Sequence, residues 1–112
     1  IVLAAVNASG HALQHAAPTL RADKEVVLTA VRRHGEAFRY AAPALRGDRD
    51  FVITVAAESG QAMEYAAEAL RSDGGVFVIA VRKDPRAIVY ASKELQRDPR
   101  FAHLTLIRDS LY

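Results

Sequence analysis

The 112-residue sequence contains no cysteine, which excludes disulfide bonds and thiolate-ligated metal sites. It also lacks any apolar run near the roughly 18 to 20 residues that a membrane-spanning helix needs, because Arg, Asp or Gly interrupts each apolar cluster. The residue patterns of phosphate-binding loops, nucleophile elbows, zincins and dinucleotide-binding folds are missing too. We therefore expect no enzymatic activity, no cofactor, no small-molecule substrate and no transmembrane segment in this chain.

One unit of 25 residues recurs along the chain, and this repeat predicts the fold. Three kinds of residue keep the period: Gly10, Gly35 and Gly60; Leu20, Leu45, Leu70 and Leu95; and Asp23, Asp48, Asp73 and Asp98. The units span residues 1–25, 26–50, 51–75 and 76–100, and a partial fifth unit spans 101–112. Because the first and last units start and stop inside the pattern, we expect a fragment of a longer chain. Self-similarity of this kind is typical of repeat proteins.

Each unit carries start and stop signals for a first helix. Asp98 before Pro99 predicts an N-cap, since proline fits the first helical position and the carboxylate accepts hydrogen bonds from free N–H groups. The recurring aspartates at the same register take the same role: Asp23, Asp48 and Asp73. In the second unit this predicts a helix from about Lys24 to His34, and we expect Gly35 to end it with a positive φ angle.

A second helix is predicted to follow in each unit. In the second unit it begins at about Glu36, and its apolar residues lie on one helical face: Ala37, Phe38, Ala41 and Leu45. Pro43 interrupts it after Ala42 and opens a short final turn, because a proline inside a helix removes a hydrogen bond and clashes with the preceding turn. In the third unit Glu68 replaces this proline, so there we expect the helix to continue without a break.

The apolar residues of the first helix cover an arc wider than one contact face requires, about 200° in the second unit. They are Val26, Val27, Leu28, Ala30 and Val31. Such a helix must pack both on the second helix of its own unit and on a neighbouring unit. This predicts a single all-α domain, an α-solenoid of two-helix repeats with four repeats plus one terminal helix.

The repeated pattern resembles a known family. Val-Val-Leu, Ala-Val, Gly, Ala-Phe, Tyr-Ala and Leu-Arg-x-Asp follow one another at fixed spacing in residues 26–48, and this order resembles the repeats of domain-of-unknown-function family 4116. His15 in place of Tyr, Pro85 in place of Gly and Gln96 in place of Arg depart from the pattern. The resemblance implies tandem helical repeats inside larger proteins and brings no catalytic residue.

The charge changes sign from unit to unit, although the chain as a whole has a net charge of +2. The four complete units carry net charges of 0, +2, −3 and +3. A constant scaffold with changing exposed residues is how repeat proteins build a partner surface. We therefore expect a scaffold for protein–protein interaction, in a narrower version an auxiliary subunit of a large, organellar assembly. The candidate partner-binding residues are Arg32, Arg33, Glu58, Ile79, Arg82, Lys83, Leu104 and Ile107.

Three other patterns have a functional and a structural interpretation. The ladder Tyr40, Tyr65 and Tyr90 could stack on bases or peptides, but we favour packing between units. The recurring Arg21, Arg46 and Arg71 could bind phosphate, but we favour pairing with a nearby Asp or with helix C-terminal carbonyls. His11 and His15 lie four residues apart without a third ligand, so we expect no metal site.

Nucleic-acid binding is the alternative function. It would use the basic residues of units two and four: Arg32, Arg33, Arg39, Arg82, Lys83 and Arg86. The acidic third unit lies between these clusters and argues against a continuous track for phosphates.

Overall fold

The computed structural model describes residues 9–99 and Phe101, and these are 79% helical without a strand. We number the α-helices and the 3₁₀-helices (η) separately. The α-helices are α1 Pro18–Arg21, α2 Lys24–Arg33, α3 Pro43–Arg46, α4 Arg49–Glu58, α5 Gly74–Lys83 and α6 Lys93–Arg97. The 3₁₀-helices are η1 Gly10–His15, η2 Gly35–Tyr40, η3 Gln61–Tyr65, η4 Glu68–Ser72 and η5 Pro85–Tyr90.

The three long helices α2, α4 and α5 each have ten residues, and their starts recur with the sequence period. Each begins after an aspartate whose carboxylate accepts backbone hydrogen bonds. Asp23 accepts from Glu25 at 2.9 Å and from Val26 at 3.2 Å. Asp48 and Asp73 cap α4 and α5 in the same way. The predicted N-caps at these three positions are confirmed.

The predicted role of the recurring glycine was wrong. None of the described glycines has a positive φ angle; α2 ends instead at His34, which is extended, with φ −145° and ψ 111°. The glycine is needed for close approach to the next unit. A Cβ atom on Gly10 would lie 2.5 Å from the carbonyl oxygen of Ala30, and one on Gly60 would lie 2.9 Å from the Cβ of Asp84.

The predicted break before Pro43 in the second unit is confirmed. The second helix nevertheless differs from the prediction in two ways: its first part is a 3₁₀-helix, and it is also broken in the third unit, where the sequence predicts continuity. In the second unit the break is at Ala41 and Ala42, both extended, before Pro43 opens α3. In the third unit Ala66 and Ala67 are extended in the same way although no proline follows. Each unit whose first helix is described therefore consists of three helices: one long helix and two short ones.

Successive units stack so that like elements touch. Helix α2 contacts α4, and α4 contacts α5, while η1, η2, η3 and η5 contact one another in that order. The core between the two rows is one continuous cluster of apolar side chains, of which Phe38, Phe77, Leu13 and Met63 are the largest fully buried ones. The molecule is elongated, with extents of 46 × 28 × 18 Å.

Candidate binding surfaces at the seams between units

One backbone hydrogen bond recurs wherever two described units meet, and we call each of these contacts a seam. At the first seam the Ala42 N–H donates to the Arg21 carbonyl oxygen. At the second seam Ala67 donates to Arg46, and at the third Ser92 donates to Arg71. All three distances are 2.9 Å. These bonds satisfy the backbone of the extended residues and fix the register between neighbouring units.

Ion pairs reinforce the seams at the starts of the long helices. The Lys24 ammonium lies 3.5 Å from Asp48, and one unit later the Arg49 guanidinium lies 2.6 Å from Asp73. The side-chain hydrogen bond from Arg49 holds the pKa of Asp73 below its ordinary value, against the opposing effect of burial. The pKa of Asp48 is also lowered, chiefly by the backbone N–H of Phe51. Asp48 and Asp73 therefore each cap a long helix and also join two neighbouring units.

Two of the predicted partner-binding residues contact each other. The guanidinium of Arg32 lies 3.3 Å from the Glu58 carboxylate across the second seam. Arg33 and Lys83 are exposed, whereas Ile79 is half-buried and packs against the core. Arg82 is also exposed. The predicted residues Leu104 and Ile107 lie outside the described part of the chain.

A groove of about 360 Å³ lies at the third seam, where the long helices end. Two of the candidate residues, Glu58 and Lys83, line it from opposite units. Beside them Asp84 accepts a hydrogen bond from the Arg86 side chain at 3.1 Å, and this interaction lowers the pKa of Asp84. The groove thus presents both signs of charge, and Arg86 has a carboxylate partner.

The recurring arginines were predicted to pair with Asp or with helix carbonyls, and the structure shows the carbonyl arrangement only in the third unit. Arg71, in η4, donates to the carbonyl oxygens of Ala66 and Glu64, both at the end of the preceding 3₁₀-helix, η3. In contrast, the Nε atoms of Arg21 and Arg46 are buried without a hydrogen-bond partner. The same sequence position therefore has two different environments.

A comparison with known families identifies the family of this chain. The model of the DUF4116 family, described as a domain of unknown function, matches residues 1–46 and 48–98. The chain belongs to the DUF4116 family. The matched segments contain all the seams described above. No curated protein and no solved structure matches the chain.

The tyrosine ladder of this DUF4116 chain lies at the edge of the core. Tyr40, Tyr65 and Tyr90 are half-buried and pack against the core cluster. The exposed Arg39 guanidinium lies 5.2 Å from the ring centre of Tyr40 and 6.0 Å from that of Tyr65, so it spans the second seam. Burial raises the pKa of Tyr65. Sequence reasoning missed this contact, because it depends on how η2 and η3 pack.

The histidines of this DUF4116 chain form a contact that the sequence spacing did not indicate. His11 lies 2.9 Å from the Glu36 carboxylate and stacks on the ring of His34 at 4.7 Å. In the part of the chain that the structure describes, no group of three or more His, Cys, Asp or Glu is arranged to hold a metal ion. Within the same residues, no helix is long and apolar enough to cross a membrane.

Proposed function

We propose that this DUF4116 chain is a non-catalytic scaffold, part of an α-solenoid, that mediates protein–protein interaction. The observation that carries the proposal is a contrast between two registers of the long helices. Val27, Val52 and Phe77 share one register and are all fully buried. Six residues later the chain has Arg33, Glu58 and Lys83. The interior is apolar in each unit, while the surface alternates positive, negative and positive.

The alternating charges favour a protein partner over a nucleic acid. A phosphate backbone needs cations along a continuous path. Here Glu58 lies between the cationic positions Arg33 and Lys83, and it pairs with Arg32. A folded protein can present acidic and basic side chains in a matching order, and such complementarity sets specificity and association rate. A narrower form of the proposal makes the chain an auxiliary subunit of a large, organellar assembly.

The test is affinity purification with and without nuclease, using the wild-type chain and a charge-swapped variant, Arg33→Glu with Lys83→Glu. We expect one protein to remain at fixed stoichiometry after nuclease treatment and to be lost from the variant. Arg97→Glu is the control, because it makes the same type of change at an exposed position on α6. It should retain the partner.

Nucleic-acid binding through the basic clusters is the alternative that this experiment separates. Capture that disappears after nuclease treatment and falls steeply with added salt would show that nucleic acid holds the complex together. Equal loss of the partner from Arg97→Glu would show a general charge effect. Either result would overturn the scaffold proposal.

A further inference from the structure

A pocket of about 250 Å³ lies at the first seam, between α1 of the first unit and the η2–α3 segment of the second. Three arginines line it, and no acidic residue does. Arg21 comes from the first unit, whereas Arg39 and Arg46 come from the second. Tyr40 completes the polar lining. The pocket therefore combines a concentrated positive charge with a concave shape.

Two of these arginines have donors without a partner. The Nε atoms of Arg21 and Arg46 are buried and make no hydrogen bond within the protein. Buried polar groups are almost always hydrogen-bonded, so two unpaired donors on residues that line one pocket need an explanation. Arg71 occupies the equivalent position in the third unit, and its guanidinium donates to two carbonyl oxygens. An arginine at this sequence position is therefore not always unpaired. The unpaired donors are specific to the first two units.

We propose that the first-seam pocket binds the phosphate group of a phosphate monoester. The planar guanidinium of arginine matches the oxygens of a phosphate group, and charge-assisted bonds of this kind are the strong ones. A monoester carries a charge of about −1.5 to −2 near neutral pH, which suits a site with three cations. A single carboxylate would leave more of this positive charge uncompensated. The guanidinium groups of Arg21 and Arg46 donate to the phosphate oxygens, and Arg39 adds the third charge.

The residues at equivalent positions in the following units favour one isolated phosphate over a nucleic acid. Arg39 is replaced by Glu64 in the third unit and by Val89 in the fourth. Glu68 and Glu94 both line the larger pocket at the third seam. The basic site is therefore not repeated in units three and four of the described residues, and a polyanion would meet acidic side chains one or two units further on. This inference is independent of the scaffold proposal.

The direct test follows the arginine Nε–H signals of the chain by NMR. Inorganic phosphate and a phosphoserine peptide are titrated separately, so that free and peptide-borne phosphate are distinguished. We expect the signals of Arg21 and Arg46 to move and to saturate at millimolar concentration or below. The variants Arg21→Gln and Arg46→Gln assign the two signals, because each removes one of them.

The affinity test compares two variants that each remove one positive charge. Arg39→Gln alters the pocket at an exposed residue and should fold normally, while Arg33→Gln removes an exposed charge away from the pocket. We expect Arg39→Gln to weaken phosphate binding about tenfold and Arg33→Gln to leave it unchanged, since a charged hydrogen-bond donor accounts for roughly that factor. Circular dichroism confirms that both variants are folded.

Four outcomes would overturn the proposal. The Nε–H signals could stay in place at saturating phosphate, or Arg33→Gln could weaken binding as much as Arg39→Gln. Acetate could bind as tightly as phosphate, which would identify a carboxylate site. An oligothymidylate could bind more tightly than the phosphoserine peptide, which would identify a polyanion surface.

Discussion

The first and third seams share one backbone geometry but differ in the chemistry of their side chains. Both have the same hydrogen bond of 2.9 Å from the extended residue to the arginine carbonyl of the preceding unit. At the third seam the guanidinium of Arg71 is bonded to carbonyl oxygens. At the first seam the Nε of Arg21 has no partner. The repeat therefore determines how the backbones dock, whereas the residues around each seam determine what the arginine can bind.

The glycines at these two seams provide the largest expected effect. Gly10→Ala should lower the free energy of unfolding by roughly 1 to 3 kcal/mol, because the added Cβ would meet a backbone oxygen that cannot rotate away. Gly60→Ala should cost less, since its added Cβ would lie 2.9 Å from the Cβ of Asp84 and 3.1 Å from the Ala80 carbonyl oxygen, compared with 2.5 Å from the Ala30 carbonyl oxygen at Gly10. Urea denaturation followed by circular dichroism measures both.

Gly47→Ala is the control for the glycine substitutions. A Cβ there would meet its nearest atom, the Pro43 carbonyl oxygen, at 3.6 Å, which is an ordinary contact. We expect stability to stay the same or to rise by up to about 1 kcal/mol, because alanine reduces the entropy of the unfolded chain. If Gly47→Ala destabilised the protein as much as Gly10→Ala, close approach at the seam would not explain the recurring glycine.

The two arginine environments predict a second, smaller difference. Arg71→Met should reduce the free energy of unfolding by about 1 kcal/mol, since it removes bonds to the carbonyls of Ala66 and Glu64. Arg46→Met should change it by less than about 0.5 kcal/mol or increase it, because it removes a buried donor that has no partner. The measurement is urea denaturation in a buffer free of phosphate. Equal losses in the two variants would contradict the assigned environments.

The ion pair between Arg49 and Asp73 predicts the smallest effect, and it depends on pH. The pKa of Asp73 is lowered in the folded chain, so its stabilisation is present above the unfolded value of about 3.9 and is lost as the pH falls through the folded value. Asp73→Asn keeps a capping side chain but removes the charge. At neutral pH we expect Asp73→Asn to lower the free energy of unfolding by about 0.5 kcal/mol. The stabilities of the variant and the wild-type chain should become equal at acidic pH.

Asp48→Asn is the matched comparison for this pH effect. The ammonium of its partner Lys24 lies at 3.5 Å, compared with 2.6 Å for the pair of Arg49 with Asp73. Its loss of stability at neutral pH should therefore be smaller. Stability curves against pH for the two variants test this order, and a larger loss in Asp48→Asn would show that distance does not rank these pairs.

Local chemistry predicted the helix starts, but contacts between units determined much of the rest. Asp23, Asp48 and Asp73 could be identified from sequence because an N-cap acts within three residues. The break at Ala66 and Ala67 could not be predicted, since no proline follows it. The hydrogen bond from Ala67 to Arg46 satisfies the backbone there, and its partners are 21 residues apart.

The candidate binding surface could likewise be predicted only in part from the sequence. The exposed positions of Arg33 and Lys83 follow from helical periodicity. The pairing of Arg32 with Glu58 and the position of Arg39 near Tyr65 depend on how one unit packs against the next. The cap of α6 is a local contact, because the Ser92 hydroxyl accepts from the Leu95 N–H within the same turn, at 3.1 Å.

The constant seam bond also bears on how such a chain can change length during evolution. Loss of residues 24–48 would join the first unit directly to the third, and the Ala67 N–H would then reach the Arg21 carbonyl as Ala42 does now. Gain of one whole period would likewise create a new seam of the same kind. An insertion between donor and acceptor that is not a whole number of periods would separate them. Selection on this backbone contact therefore favours duplication and deletion in complete units.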